Sequence, residues 1–373
     1  MKTNISQFIS KKIDINTNII WFEKSNKYII VDDFINNLIL NKINSYLYPI
    51  SKDLKNNKIN SSDLQHIEND LKELLEDCNT QRLKKETKNI LKENESFEFQ
   101  SLFTFNSRTV KVEYENESLK ELIEPKFIHL KSNNKENLLF KIFAKNKKLY
   151  LFKENLFLGE WDSSEMHEFQ GKVSMELTSF FHNKKDEDWT AVFHGSTLYR
   201  DNNSLMLTGD SGSGKSSLSA ILMANGYSLI ADDFSPMDIN CIHYNFPSAI
   251  SVKEGFFYKA GKIFGSFNQL DKFYIDEIKG NVKYLPANNN NNNNLILSAN
   301  CSKVINVKFG KDLKNEIKQV NKGVSLQKIL PDAWISNEKK HAKSFIRWIK
   351  SSVFYDLTYN DDKKVLQMIN NIF

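Results

Sequence analysis

The spacing of apolar residues changes period several times along the chain, and each change marks an element. Residues 19–31 (IIWFEKSNKYIIV) predict two short strands of β-branched and aromatic residues joined around Lys24–Asn26. FINNLILNKI follows with helical spacing. Ser61-Ser62-Asp63 then forms an N-cap cluster before a long amphipathic helix. Its apolar face is Leu64, Ile67, Leu71, Leu74 and Leu75, and its charged residues, through about Asn94, make a solvated face. From Phe97 the period becomes alternating, through Phe99, Phe103, Phe105, Val110, Val112 and Tyr114 to LLFKIFAKNKKLYLF and about Trp161. The expected units so far are a hairpin-plus-helices domain, 1–95, and a β-rich segment, 96–170.

GKVSMELTSFFH (171–182) returns to helical spacing and opens a third unit, 171–373. Two strands, AVFHGSTLY and SLMLTG, flank Arg200–Asn203 as a hairpin. Leu218, Ile221 and Leu222 give the next helix a buried face. Tyr227–Ala231 is a short apolar strand ending in Asp232-Asp233. Because the intervening helix returns antiparallel, this strand is expected parallel to Leu205–Leu207, its carboxyl end beside the preceding loop. YDLTY reads as a strand, and Asp361 caps a last helix carrying Val365, Ile369 and Ile372. The seven asparagines at 288–294 are a low-complexity insert, expected as a surface loop. The fold class expected is α/β (α+β overall).

Composition narrows the function classes. With 40% hydrophobic and 26% charged residues over 373 positions, the chain is globular, neither disordered nor fibrous. Lys+Arg exceed Asp+Glu by 51 to 46, a net +5 too mild to suggest a nucleic-acid partner. Arginine occurs only at Arg82, Arg108, Arg200 and Arg347. Cys78, Cys241 and Cys301 are far apart and form neither a disulfide framework nor a zinc set. With no apolar h-region at the N-terminus and no apolar run of membrane-spanning length, a cytoplasmic protein without a membrane partner is expected. Whether it forms a homo-oligomer is left open.

The strongest chemical signal is Gly209-Asp210-Ser211-Gly212-Ser213-Gly214-Lys215-Ser216, a full G-x-x-x-x-G-K-[ST] pattern followed by Ser217. The glycines let successive N–H groups turn inward as an anion nest. Lys215 can reach the β- and γ-phosphates of ATP, and the Ser216 hydroxyl suits Mg²⁺. A strand leads in and a helix N-terminus leads out, the context such a loop requires. Of the two aspartates at the neighbouring strand end, one could bind Mg²⁺ and the other accept a proton. With the hairpin turn centred on Asn202, His194 falls opposite Asp210 at the rim of the site. His129, His243 and His341 are expected to be structural or exposed.

HGSTLY…LMLTGDSGSGKSSLSAILMANGYSLIADD resembles the catalytic domain of the HPr kinase/phosphorylase family, from His194 to Asp233. The phosphoenolpyruvate carboxykinases, which share this P-loop fold, are a more distant match. The resemblance implies that Asp232 is the general base on an acceptor hydroxyl and Asp233 a Mg²⁺-linked acid. It also implies that His194 contacts Asp232 or the γ-phosphate, while Lys215 and Ser216 hold nucleotide and metal. The family's downstream E-x-R-G signature is not found; FPSAISVKEGFF occupies that region, with Lys253 and Glu254 as stand-ins. Phosphorylase activity and HPr as substrate are therefore not carried over.

The function expected is an ATP-dependent kinase of a hydroxyl group in a peptide, protein or metabolite. The alternatives are an ATP-dependent carboxykinase, which would need bidentate arginines for a dicarboxylate, and a non-catalytic nucleotide-binding module. Residues 19–94 loosely resemble small winged peptide-recognition (PqqD-like) domains. That would make the N-terminal unit a leader-capture element working by edge pairing, removable without loss of nucleotide binding; the alternative is a packing or dimerisation domain.

Overall fold

The computed structural model describes residues 7–44, 61–81, 96–275, 277, 279–287 and 295–373. The expected continuation of the long helix towards Asn94 and the asparagine run at 288–294 lie outside them. The chain begins with an antiparallel sheet of β1 (Phe8–Asp14), β2 (Thr17–Phe22) and β3 (Lys27–Val31). Only β2 and β3 were legible as strands. Alternation along β2 sends its side chains to two different cores. Ile20 and Phe22 meet Leu38 and Ile39 of α1 (Asp33–Asn44) and Leu71 and Leu75 of α2 (Ser61–Cys78). Ile19 and Trp21 face the other way and join Ala191, Phe193, Phe345 and Trp348.

The β-rich segment is a five-stranded sheet in chain order: β4 (Phe99–Phe105), β5 (Arg108–Tyr114), β6 (Leu138–Lys145), β7 (Lys148–Lys153) and β8 (Leu156–Asp162). All neighbours are antiparallel except β5 and β6. A parallel pair needs a crossover, supplied by α3 (Glu117–Ile123) and the 3-10 turn Glu124–Leu130. α4 (Met166–Phe181) follows a capping box of Asp162 and Glu165, so this helix spans the expected boundary at 170/171. Phe169, Val173 and Leu177 pack on the sheet in a core that also takes Ile230, Ala231 and Phe246.

The third unit opens with β9 (Trp189–Phe193), β10 (Ser196–Arg200), β11 (Asn203–Thr208), α5 (Lys215–Ala224), β12 (Ser228–Ala231) and β13 (Ser235–Asp238). β14 (Ile242–Tyr244), β15 (Ile250–Lys253), α6 (Phe257–Ile263), β16 (Phe273–Tyr274) and β17 (Asn281–Leu285) come next. β18 (Ser298–Asn300), β19 (Lys303–Phe309), β20 (Glu316–Gln319), α7 (Lys322–Ile329), β21 (Trp334–Ile335), α8 (Lys339–Ser351), β22 (Val353–Tyr359) and α9 (Asp362–Ile372) complete the chain.

Its central sheet has the order β12-β10-β11-β19-β22-β20. β11, β19 and β22 are parallel, while β10 is antiparallel to both β11 and β12. β12 therefore runs in the direction of β11, as expected, with β10 between them. Leu205, Leu207, Leu218, Leu222, Ile305 and Leu357 close the core beneath this sheet. A second sheet, β18-β14-β13-β9-β21, and a small one, β15-β17-β16, flank it. The whole is a mixed α/β fold. No helix among the described residues is long and apolar enough to cross a membrane.

One register differs from expectation. Pairing runs from Ser196↔Leu207 to Arg200↔Asn203, so the turn is the two residues Asp201-Asn202, both left-handed (φ 49° and 65°). That is the two-residue hairpin geometry that Asp and Asn tolerate. The turn is not centred on Asn202, and His194 is not delivered opposite Asp210.

Candidate phosphate-loop site

Between the end of β11 and the start of α5 the backbone turns through Gly209 (φ 135°), Gly212 (82°) and Gly214 (97°). A Cβ at Gly209 would lie 2.7 Å from the Val307 carbonyl oxygen, and one at Gly214 2.8 Å from Phe309 Cβ. Glycine is required at both for conformation and for space. The Ser213 N–H donates to the Asp210 carbonyl (3.1 Å), and the Phe309 N–H donates to the Ser213 carbonyl (2.8 Å), tying the loop to β19. Asp210, Ser211 and Gly212 form the exposed lip. Ser213 Oγ is buried without a protein partner, a donor suited to a phosphate oxygen.

Lys215 is buried, and its ammonium donates to the carbonyls of Gly209 (2.5 Å) and Asp210 (3.2 Å). Burial lowers its pKa, opposed by Asp233, Asp232 and Asp210. Ser216 stands on the first turn of α5, and its hydroxyl lies 3.4 Å from Asp232 Oδ2. The Ser196 hydroxyl of β10 donates to Asp232 Oδ1.

The two aspartates sit in unlike environments. Asp232 is 2% exposed; burial, and then the charge of Asp233, push its carboxyl up to about 7. The Asp233 side chain is 46% exposed, on a left-handed backbone (φ 66°) that a non-glycine residue adopts at a cost. The site's partial burial raises its pKa, but His194, Lys126, Lys279 and Lys215 outweigh this and hold it below the ordinary carboxylate range. His194 Nδ1 lies 3.2 Å from Asp233 Oδ1. The imidazole thus meets Asp233, where the resemblance implied Asp232 or the γ-phosphate. The carboxylate beside Ser216, in turn, is Asp232.

Ser216 and Asp232, and His194 and Asp233, lie side by side in the structure, His194 through its contact with Asp233 and not through the expected register. The stand-ins fare differently: Glu254 accepts from Asn281 Nδ2 (3.2 Å) between β15 and β17. His243 is buried against Ser235 Oγ (2.9 Å), and His341 bonds Thr190 Oγ1 (2.7 Å) and the Glu187 carbonyl (3.0 Å). Both are structural. Sequence reasoning singles out neither Ser196 nor Lys126. Ser196 could have been found, being the first inward position after His194-Gly195; no local signal marks Lys126.

No family model matches the sequence, and no curated protein does. Among solved structures the chain is similar to the HPr(Ser) kinase/phosphatase from Coxiella burnetii. That match has 13% identity, covers 48% of this chain and 93% of the other, and has a TM-score of 0.22. A likeness of that size carries no argument about this chain.

Proposed function

We propose that this site transfers the γ-phosphoryl group of ATP to a hydroxyl group of a peptide, protein or metabolite. The observation that carries the reading is the convergence of a glycine loop, a buried lysine and two carboxylates at one end of the central sheet. The nearby donors are hard oxygens, as Mg²⁺ prefers, and Mg²⁺ commonly takes only one or two carboxylates beside substrate phosphates. Ser216 and Asp232 would hold it, and when bound it would offset phosphate charge. A buried carboxylate whose ionisation is opposed by burial is one that a divalent cation ionises readily.

The roles of the aspartates then follow from access. An acceptor arriving from solvent meets Asp233, which is exposed and ionised, before it can meet Asp232, which lies beneath Ser196 and Ser216. Asp233, oriented by His194, is the proton acceptor in this reading and Asp232 the metal-side carboxylate, the reverse of what the resemblance implied. The carboxyl near 7 on Asp232 favours the original order, since a base works best near the operating pH. A base that the hydroxyl cannot reach transfers nothing, so access decides.

A carboxykinase reading loses its arginine. Arg200 stacks over Tyr227 (4.1 Å) and Phe373 (5.1 Å) and pairs with Asp201 at the hairpin's turn, the far end from the loop.

Single-turnover transfer of labelled γ-phosphate into a mixture of peptides and hydroxyl metabolites, read by mass spectrometry, tests both parts. Asp233→Asn should keep Mg-ATP affinity and slow transfer by ~10²–10⁴-fold. Asp232→Asn should weaken Mg²⁺-dependent binding as well. The opposite pattern would restore the original roles, and no transfer by the wild type to any acceptor or water would remove the kinase reading.

A further inference from the structure

The 3-10 turn Glu124–Leu130 belongs to the five-stranded sheet, yet it is stitched to the strand that carries the aspartates. The Phe246 N–H donates to the Ile230 carbonyl of β12 (2.9 Å), and the Ala249 N–H donates to the Lys126 carbonyl (2.8 Å). The ring of Phe246 packs on Phe127 (centroids 5.7 Å apart) and on Phe234 (4.8 Å). Phe127 follows Lys126 in the chain, and Phe234 follows Asp233. The packing of the two rings onto Phe246 therefore brings the chain at Lys126 and the chain at Asp233 to the same place.

The turn is firmly set. Pro125 and Phe127 are buried, and buried Glu124 is held by Lys131 (2.7 Å) and by the Ser101 hydroxyl. Burial lowers the pKa of Lys126, and the charge of Lys279 adds to that, while the charges of Asp233 and Asp232 act in the opposite sense.

A phosphoryl group passing between ATP and an acceptor beside two carboxylates needs positive charge on its oxygens. Each arginine among the described residues is engaged elsewhere: Arg108 over Phe180 (4.5 Å), Arg200 over Tyr227, and Arg347 on the Ile239 carbonyl (2.8 Å). We propose that Lys126 is a catalytic residue of this site, its ammonium binding the oxygens of the transferring phosphoryl group from outside the phosphate-loop unit. The inference rests on the kinase reading above. In the step, the bond from phosphorus to the ADP oxygen breaks and a bond from phosphorus to the acceptor oxygen forms. The acceptor proton passes to Asp233, ADP leaves, and Lys126 keeps its protons throughout.

The test uses the full chain as wild type, Lys126→Met and Lys126→Arg, with Mg-ADP alone and Mg-ADP plus aluminium fluoride, a planar mimic of the group in transfer. Calorimetry reads both affinities and a thermal melt reads folding. Lys126→Met should hold Mg-ADP within about 2-fold of wild type but lose roughly 10²-fold of the tightening that fluoride brings. Lys126→Arg should recover much of that tightening. Wild-type tightening in Lys126→Met would overturn the proposal. So would a parallel loss of both affinities with a lowered melting point, the signature of a purely structural lysine. If the wild type binds Mg-ADP but gains nothing from fluoride, the transfer reading falls and this inference with it.

Discussion

At the scale of single residues, Asp232 couples the site to stability. Its folded pKa of about 7 lies above the ordinary aspartate value of about 3.9. Between those values the folded chain holds a proton that the unfolded chain has lost, so this group makes stability fall as pH rises from about 4 to about 7. Asp233 acts in the opposite sense: its depressed pKa gives stability above the unfolded value, lost on acidification. Asp232→Asn should therefore be more stable than wild type at pH 8 without nucleotide, by on the order of 1–3 kcal/mol, a difference that closes towards pH 4. Scanning calorimetry across that range checks it; identical profiles would mean that Asp232 ionises freely in the fold. The pairing of these aspartates with a phosphate loop was legible because each is sequence-adjacent to a strand end. Which carboxylate is buried was not, because that depends on Ser196 and Ser216 closing over Asp232.

Among elements, the strand-loop-helix of the phosphate site was readable because its backbone accepts only certain residues at fixed positions. Gly214→Ala forces a side chain into left-handed backbone against Phe309 and should cost about 1–3 kcal/mol and abolish most nucleotide affinity. A thermal melt and a Mg-ATP titration measure the two effects. The hairpin register was one residue off because Leu205, Met206 and Leu207 are all buried, leaving no alternation to fix it. β1 was missed because Lys11 and Lys12 are exposed on it and break the apolar pattern. Phe246→Ala would unpin the turn carrying Lys126. It should cost about 3–5 kcal/mol in denaturant unfolding, and a near-zero cost would contradict the packing described.

For the molecule as a whole, the N-terminal sheet is a wall of the third unit's core rather than an appendage. Trp21 and Ile19 lie with Phe193, Phe345 and Trp348, Tyr28 packs edge-on to Phe345 (5.3 Å), and Asn26 Nδ2 donates to the Ile335 carbonyl (2.9 Å). The expectation that residues 1–95 could be removed without consequence for nucleotide binding does not fit this packing. A chain beginning at residue 96 bares that apolar face, with loss of Trp21 alone worth about 3–5 kcal/mol. It should aggregate or melt far below the full chain, measured by size-exclusion chromatography and calorimetry. Lys126 illustrates what sequence could not reveal: its place depends on three segments, around 127, 234 and 246, meeting through one ring.

Every role assigned to this site depends on the phosphate loop binding nucleotide with metal. Calorimetric titration of ATP into the full chain, with and without Mg²⁺, alongside Lys215→Ala, is the most direct measurement. Binding should require Mg²⁺ for full affinity and fall at least roughly tenfold in Lys215→Ala, whose missing ammonium no longer offsets γ-phosphate charge. Equal affinity in the two proteins, or no heat of binding in the wild type, would contradict the account.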